Sequence, residues 1–385
     1  MIKKLGTAIS EYSVRNKLDE EIPVYSVTNE QGFCTGYFSK DVASKDRTTY
    51  KIVPYGYFAY NPSRINVGSV DWQHSEERVI VSPLYVVFGV DESVDKRYLL
   101  HYLKSDIARM LIKNYASGSV RDNLKLSTLM EFPFNFRSLE EQKEIANVLD
   151  KIDYLIGVQK QRMDYFDRLV KSRFIELFGD PDVNSKGWNE CALSEKLNVV
   201  GGYAFKSDQF DEERGIPVLR IGNINAGFFR PVNLVYWHED ESLERYIVYP
   251  GELVMSLTGT VGKDDYGNVC ILGDDYGKYY LNQRNAKLEI VEGIDKYYLS
   301  QLLKFEQIKK RLTGISRGVR QANISNKDIL NLVVPVPPME IQEQFSAFVA
   351  QTDKSKYYSQ KFLTLCRSAA NIYEQEWMKC QTLNF

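Results

Sequence analysis

The longest regular pattern of apolar and polar residues lies in the middle of the chain. From Ile145 to Leu177 the seam positions follow alternating steps of four and three, and eight of the ten are apolar. This spacing predicts a long helix with a coiled-coil seam. Ser138 and Glu141 predict a capping box at its start, and Gly179 predicts its end.

A second long helix is predicted over residues 339–385, which contain neither proline nor glycine. Its first and last thirds carry apolar residues at helical spacing, but its middle, TDKSKYYSQ, is polar. We therefore expect a helix whose centre is weak or frayed.

The segments before the two helices have a different character. Short runs such as IPVYSV and GELVMSL are bounded by Gly, Asn, Asp and Pro, which is typical of strands. A helix-like stretch follows each set of runs, and then a basic polar loop, a short strand and a proline precede the long helix. This order occurs twice.

The repetition extends to individual residues. Leu139-Glu140-x-Gln142 matches Met339-Glu340-x-Gln342, and Lys96-x-Tyr98-Leu99 matches Lys296-x-Tyr298-Leu299, both at an offset of 200. Ile22-Pro23-Val24 more weakly matches Ile216-Pro217-Val218. With 385 residues and 44% apolar content, the chain can bury more than one core. The sequence therefore predicts a duplicated α+β architecture, in which each half has one mixed α/β domain and one long helix.

Composition excludes several classes of protein. The five cysteines form no CxxC pair and only three histidines are present, which argues against a disulfide framework or structural zinc and fits a reduced cytoplasm. The longest apolar run, VIVSPLYVVFGV, is too short and interrupted to span a membrane, and the first residues lack the apolar core of a signal peptide. SLTGTVGKD is not a P-loop, and no nucleotide-binding or catalytic motif is found.

The net charge of −2 conceals two local basic runs, at residues 96–125 and 304–327. A solvated helix face is one interpretation. Because both runs lead into polar loops, SGSVRDN and SRGVRQANISN, a phosphate-contacting surface is the other. The segments YNPSRINVGS, SLTGTVGKD and LNQRN are interpreted either as hairpin turns or as loops that read DNA bases. The DNA-contact candidates are Asn61, Ser63, Arg64, Asn66, Lys113, Arg121, Asn123, Thr258, Thr260, Lys263, Gln283, Arg284, Arg317, Arg320, Gln321 and Asn323.

Together, the repeated loops, the proline-bearing strands, LEEQKEIANVLDKID, MEIQEQF and the intervening FGDP and GW resemble the specificity subunit of type I restriction-modification systems. The resemblance covers essentially the whole chain. It implies target recognition domains at residues 1–137 and 181–337, and spacer helices at 138–180 and 338–385 that pair antiparallel as a coiled coil. The first domain lacks a counterpart of GGYAFKS, residues 201–207, so its N-terminal edge is not set by the repeat.

The resemblance also implies partners. Double-stranded DNA would be read as two half-sites, with two modification subunits on the helices and a restriction translocase joining for cleavage. S-adenosylmethionine, ATP and Mg would belong to those subunits, leaving this chain without cofactor, metal or catalytic residue. The candidates for partner binding are Ile145, Leu149, Ile152, Ile156, Phe166, Phe345, Phe348 and Phe362. Three alternatives stay open: a methylation-only system, a self-sufficient DNA enzyme, and a coiled-coil scaffold that binds only proteins.

Overall fold

The computed structural model describes residues 2–36, 47–116, 123–225, 227–260, 263, 265–314 and 321–379, and of residues 116, 321 and 375–379 the backbone alone. The chain divides into two compact units, Met1–Lys160 with Gln360–Phe385, and Gln161–Ser359. Each unit thus includes part of both long helices, whereas the sequence-based division kept helices and domains apart. The sequence-based division into recognition domains and spacer helices is a functional one, and it stays a prediction.

The first unit is a mixed α/β unit. Its strands are β1 (Ile2–Lys4), β2 (Ile9–Glu11), β3 (Ser26–Thr28), β4 (Gly32–Cys34), β5 (Lys51–Pro54), β6 (Phe58–Tyr60), β7 (Val70–Trp72), β8 (Arg78–Val81), β9 (Val86–Val90) and β10 (Pro133–Asn135). Its helices are α1 (Lys96–Lys104), α2 (Asp106–Ala116), α3 (Leu126–Met130), the first part of α4 (Leu139–Phe178) and the last part of the second long helix.

The second unit has the same character. Its strands are β11 (Glu190–Ala192), β12 (Leu197–Gly201), β13 (Ile216–Leu219), β14 (Val235–Trp237), β15 (Ile247–Val248), β16 (Leu253–Ser256), β17 (Thr258–Thr260), β18 (Val269–Ile271), β19 (Tyr279–Leu281), β20 (Asn285–Ile290), β21 (Gln321–Asn323) and β22 (Val333–Pro335). Its helices are the later part of α4, α5 (Lys296–Leu303), α6 (Glu306–Thr313), α7 (Asn326–Leu330) and the first part of α8 (Met339–Lys379).

The central sheets of the two units have the same strand order. The antiparallel order β2-β9-β6-β7 in the first unit corresponds to β12-β20-β16-β18 in the second. The weak sequence match of Ile22-Pro23-Val24 with Ile216-Pro217-Val218 also has a structural counterpart. Val24 forms a parallel bridge with Ile80, and Val218 pairs in parallel with Tyr280. The structure therefore confirms the internal repeat.

Each unit buries one face of its sheet under helices. In the first unit, Phe58 and Phe88 stack with ring centroids 5.2 Å apart, and Leu149 of α4 joins the same core. In the second unit, Phe174 of α4 stacks on Tyr298 of α5 at 5.4 Å between ring centroids. Burial of these faces removes large apolar areas from water, which holds the long helices to the units.

The predicted ends of α4 are confirmed. The Ser138 backbone N–H donates to the Glu141 carboxylate at 3.0 Å, and the Glu141 N–H donates to the Ser138 hydroxyl at 3.3 Å, which is a capping box. At the other end, Gly179 has a φ of 78°, a left-handed conformation that favours glycine and stops the helix.

The expected frayed centre of the second long helix is wrong, because α8 is continuous over Met339–Lys379. Thr352 and Ser355 each donate a hydrogen bond to the carbonyl four residues earlier, at 2.9 and 3.2 Å. Lys356 forms an ion pair with Asp167 of α4. The polar middle is therefore bonded to its own helix and to its neighbour.

A buried glutamine explains the repeated helix start. In the first unit, Gln142 is fully buried and its Oε1 accepts the Asp95 backbone N–H at 2.8 Å. Its Nε2 donates to the carbonyls of Ser93 and Arg137, both at 2.9 Å. Asp95 in turn caps α1, since its carboxylate accepts two backbone N–H groups of the first turn.

The second unit repeats this arrangement, which we call the glutamine clamp: Gln142 with Asp95, and Gln342 with Asp295. Gln342 is also fully buried; its Oε1 accepts the Asp295 N–H at 2.8 Å and its Nε2 donates to the Pro337 carbonyl at 2.7 Å. The clamp joins the first turn of each long helix to the start of a shorter one.

Among the described residues, none of the helices combines the length and apolar character that crossing a bilayer requires.

Replacing Gln342 with Leu is expected to lower the free energy of unfolding by about 2–4 kcal/mol, because the buried Asp295 N–H and Pro337 carbonyl lose their partners. Urea unfolding would measure the change. The matched control is Gln351→Leu, an exposed glutamine of the same helix, which should shift stability by less than about 0.5 kcal/mol. Equal losses in the two variants would show that the clamp has no special role.

Candidate nucleic-acid interface

In the second unit, loops converge at one end of the central sheet. β12 and β16 both end there, at Gly201 and Ser256, and β20 begins there, at Asn285. β17 follows immediately and pairs with β21, which places Thr258 opposite Asn323 and Thr260 opposite Gln321. The structure therefore brings together two predicted DNA-contact segments that lie about sixty residues apart in the sequence.

The third predicted segment, LNQRN, lies at the same end. The Leu257 N–H donates to the Arg284 carbonyl at 2.8 Å, and the Gln283 N–H donates to the Tyr203 carbonyl at 2.8 Å. Gly202 permits this approach, because a Cβ there would lie 2.2 Å from the carbonyl oxygen of Asn282. The side chains of Gln283 and Arg284 are exposed.

The first unit makes equivalent backbone bonds. The Leu124 N–H donates to the Pro62 carbonyl at 3.1 Å, as Ile324 donates to Leu257 at 2.9 Å in the second unit. This bond brings Asn123 to the turn that contains Asn61, Ser63, Arg64 and Asn66. Arg121 lies outside the described residues, as do Arg317 and Arg320.

Within the turn of the first unit, the candidates differ in exposure. The Asn61 side chain accepts hydrogen bonds from the N–H and the hydroxyl of Ser63, at 3.1 and 2.9 Å, so it shapes the turn. Ser63, Arg64 and Asn66 are exposed, and so is Asn123. Arg64 and Asn66 therefore have the freest side chains for contact with a ligand.

In the second unit, Thr260 forms hydrogen bonds within its own hairpin. Its N–H and hydroxyl donate to the two carboxylate oxygens of Asp265, at 2.8 and 2.9 Å. The N–H bond holds the pKa of Asp265 below its usual range. Because that pKa is depressed in the folded state, this contribution to stability is lost as the pH falls through it. Lys263 is exposed in the same hairpin.

A helix with basic residues packs beside the loops in each unit. In the first, α2 carries the exposed Lys113 and packs on the Ile65–Val67 turn. In the second, Lys309 of α6 is buried and its Nζ donates to Asn268 Oδ1 at 2.7 Å, while the Tyr266 hydroxyl donates to the Thr313 carbonyl at 2.8 Å. Nothing in the sequence pattern indicates these anchors, because their partners lie more than forty residues apart.

Part of the basic run of the second unit pairs with acidic side chains of the same unit. Lys310 pairs with Glu306, and Arg311 pairs with Asp182 at 2.9 Å. Together with Lys309, these residues hold the unit's own structure, so the run is not simply a row of cations available to phosphates.

The predicted partner-binding residues fall into two groups. Ile145, Leu149 and Phe345 are buried in the cores of their own units, where they pack the long helices and are inaccessible to a partner. This corrects the expectation that these three residues bind a partner. The half-buried members are Ile152, Ile156, Phe166 and Phe348, and Phe362 is exposed.

Within the described ranges, no group of three or more His, Cys, Asp and Glu side chains is placed to hold a metal ion.

A family model described as type I restriction modification DNA specificity domain matches residues 3–164 and 185–361. The type I restriction enzyme MjaVIII specificity subunit of Methanocaldococcus jannaschii is 26% identical over 280 residues, which are 68% of this chain and 64% of that protein. The EcoKI specificity subunit of Escherichia coli K12 is 24% identical over 311 residues, 75% of this chain and 65% of that protein. The matches therefore span just under two thirds of these relatives.

Among solved structures, the crystal structure of the type I restriction-modification system S subunit from M. genitalium is similar with a TM-score of 0.56. The similarity covers 97% of this chain and 94% of that one at 16% sequence identity, so it concerns the fold.

Replacing Gly259 with Ala is expected to open the β17–β21 pair, because the new Cβ would lie 2.3 Å from Asp265 Oδ1 and 2.8 Å from the Tyr266 Cβ. Crowding of about 1–3 kcal/mol should raise amide hydrogen exchange of residues 258–260 roughly 5- to 150-fold. Gly277→Ala is the control, since its Cβ would meet nothing within 4 Å. Unchanged exchange in Gly259→Ala would mean that the hairpin accommodates the methyl group.

Proposed function

The chain belongs to the family of type I restriction modification DNA specificity domains, and on that premise we propose that it is the DNA specificity subunit of a type I restriction-modification complex. Each unit reads one half of a bipartite DNA target. The chain supplies recognition, while methyl transfer and ATP-dependent cleavage belong to partner subunits that carry S-adenosylmethionine, ATP and Mg.

One observation carries the proposal: the same arrangement of loops is built twice, on equivalent sheets, with different exposed side chains. Backbone bonds from Leu124 to Pro62 and from Ile324 to Leu257 fix corresponding loop segments. The side chains there differ, with Arg64 and Asn66 exposed in one unit and Gln283 and Arg284 in the other. Two equivalent loop arrangements with different exposed side chains suit a DNA target whose two halves differ in sequence.

The exposed loop residues divide by chemistry into two roles. Arg64, Lys113 and Lys263 suit phosphate contacts that set the position of the protein on the duplex. Asn66, Asn123, Asn323, Gln283 and Arg284 suit base edges, because amides pair with adenine and guanidinium groups with guanine in the major groove.

The long helices would set the spacing of the two half-sites and bind the modification subunits. With 40 and 41 residues they are roughly 60 Å long at 1.5 Å per residue. They also expose large apolar side chains, among them Tyr154 and Leu169 of α4 and Phe362 and Leu365 of α8. Apolar surface of this kind is typical of protein contacts.

Deletion of the gene tests the function directly. Methylome sequencing of the host is expected to show that one bipartite motif loses methylation and regains it when the gene is restored. The isolated chain, given S-adenosylmethionine or ATP with DNA, should show no turnover. An unchanged methylome in a host that expresses the protein, or turnover by the isolated chain, would contradict the proposal.

Lengthening both helices by one heptad, near Gln159 and near Ser359, tests the spacing role. The insertions preserve the seam and add roughly 10 Å of helix, because seven residues rise 1.5 Å each. The methylated motif should keep both half-sites and widen its spacer by at most about three base pairs, at 3.4 Å each. If the methylome shows the original spacer at full occupancy, the helices serve assembly and do not measure the DNA.

A further inference from the structure

The turn before β20 has a counterpart in the first unit that the sequence did not single out. In the second unit the Asn285 N–H donates to the Asn282 carbonyl at 2.9 Å, which closes the turn that carries Gln283 and Arg284. In the first unit the Tyr85 N–H donates to the Ser82 carbonyl at 3.0 Å and closes the turn before β9. Each turn connects corresponding strands, β19 to β20 and β8 to β9.

The register of the sheets makes the correspondence residue by residue. Phe58 pairs with Phe88, and Leu253 pairs with Leu288, so the strands that flank the turns align at an offset of 200. At this offset Leu84 occupies the position of Arg284. The pairing of β6 with β9 ends at Tyr60 and Val86, two residues short of Pro62 and Leu84, and Pro62 has no N–H to repeat the bond that joins Leu257 to Arg284.

Leu84 is 80% exposed although it is a large apolar residue. The turn around it is held firmly, because Pro83 fixes one backbone torsion and the Lys51 Nζ donates to the Tyr85 carbonyl at 2.7 Å. A single exposed leucine is ordinary on a protein surface. Its position gives it meaning here, since it occupies the turn position at which the other unit presents an arginine.

We propose that Leu84 is a specificity-determining residue, which contacts the C5 methyl group of a thymine in the half-site read by the first unit. Among the four unmodified bases, only thymine presents a methyl group at its major-groove edge, and apolar side chains recognise it. Arg284 at the same position suits guanine, so equivalent turns would read different bases in the two half-sites. The inference rests on the proposed function and adds which base one residue recognises.

Deoxyuridine provides the test, because it differs from thymidine only in lacking the methyl group. Once the motif is mapped, the complex assembled with its partner subunits is titrated with duplexes in which each half-site thymine is replaced in turn. One replacement is expected to weaken binding about three- to fivefold, the factor for about 0.8 kcal/mol per buried carbon. In the complex with Leu84→Ala, the thymine and deoxyuridine duplexes should bind equally.

Leu18→Ala is the matched control, since Leu18 is a leucine of the same unit that is 83% exposed and belongs to no candidate loop, so this variant should leave the thymine preference intact. The inference is overturned if no half-site thymine shows a Leu84-dependent preference, or if the motif has no thymine. Because Leu84 is exposed, Leu84→Ala should fold normally, which circular dichroism checks. A complex that binds no mapped duplex at all overturns the proposed function itself, and a bound duplex without the preference overturns only the role of Leu84.

Discussion

The glutamine clamp is the constraint on which the two units are built. A primary amide can donate and accept at once, and a buried one must do both, because an unpaired amide group in the interior costs about 1–3 kcal/mol. Gln142 and Gln342 satisfy this requirement with backbone groups at the start of the short and long helices. The clamp therefore fixes where each long helix begins relative to the sheet that precedes it.

The sheet separates the clamp from the candidate interface. β9 and β20 begin at the loops and end just before the clamp, so the clamp and the loops lie at opposite ends of the same strands. Tyr98 and Tyr298 reinforce the clamp end, since their buried hydroxyls donate to the carbonyls of Asn135 and Pro335 at 3.0 and 2.7 Å. Side chains at the loop end can differ between units without disturbing these bonds.

The sequence predicts the features that depend on local or periodic information. The capping box of Ser138 and Glu141 and the stop at Gly179 involve neighbours in the chain, and the repeated motifs indicate the duplication. The frayed centre of α8 was wrong because a local pattern cannot show that Lys356 meets Asp167. For the same reason the pairing of Thr258 with Asn323, the bond from Lys309 to Asn268 and the burial of Phe345 are visible only in three dimensions.

The candidate loops of the two units differ in how far their shape depends on side chains. The bonds from Leu124 to Pro62 and from Ile324 to Leu257 join backbone groups, so they hold for many side chains at those positions. The hairpin of the second unit is more constrained, because Thr260 is held by the Asp265 carboxylate and Gly259 has no room for a Cβ. Arg284 is bonded to the fold through its backbone, and the side chains of Leu84 and Arg284 are exposed, where substitutions usually change stability by less than about 0.5 kcal/mol. On the proposed function, specificity can therefore change at the turns with little loss of stability, whereas changes within the hairpin alter the loop that carries proposed contact residues.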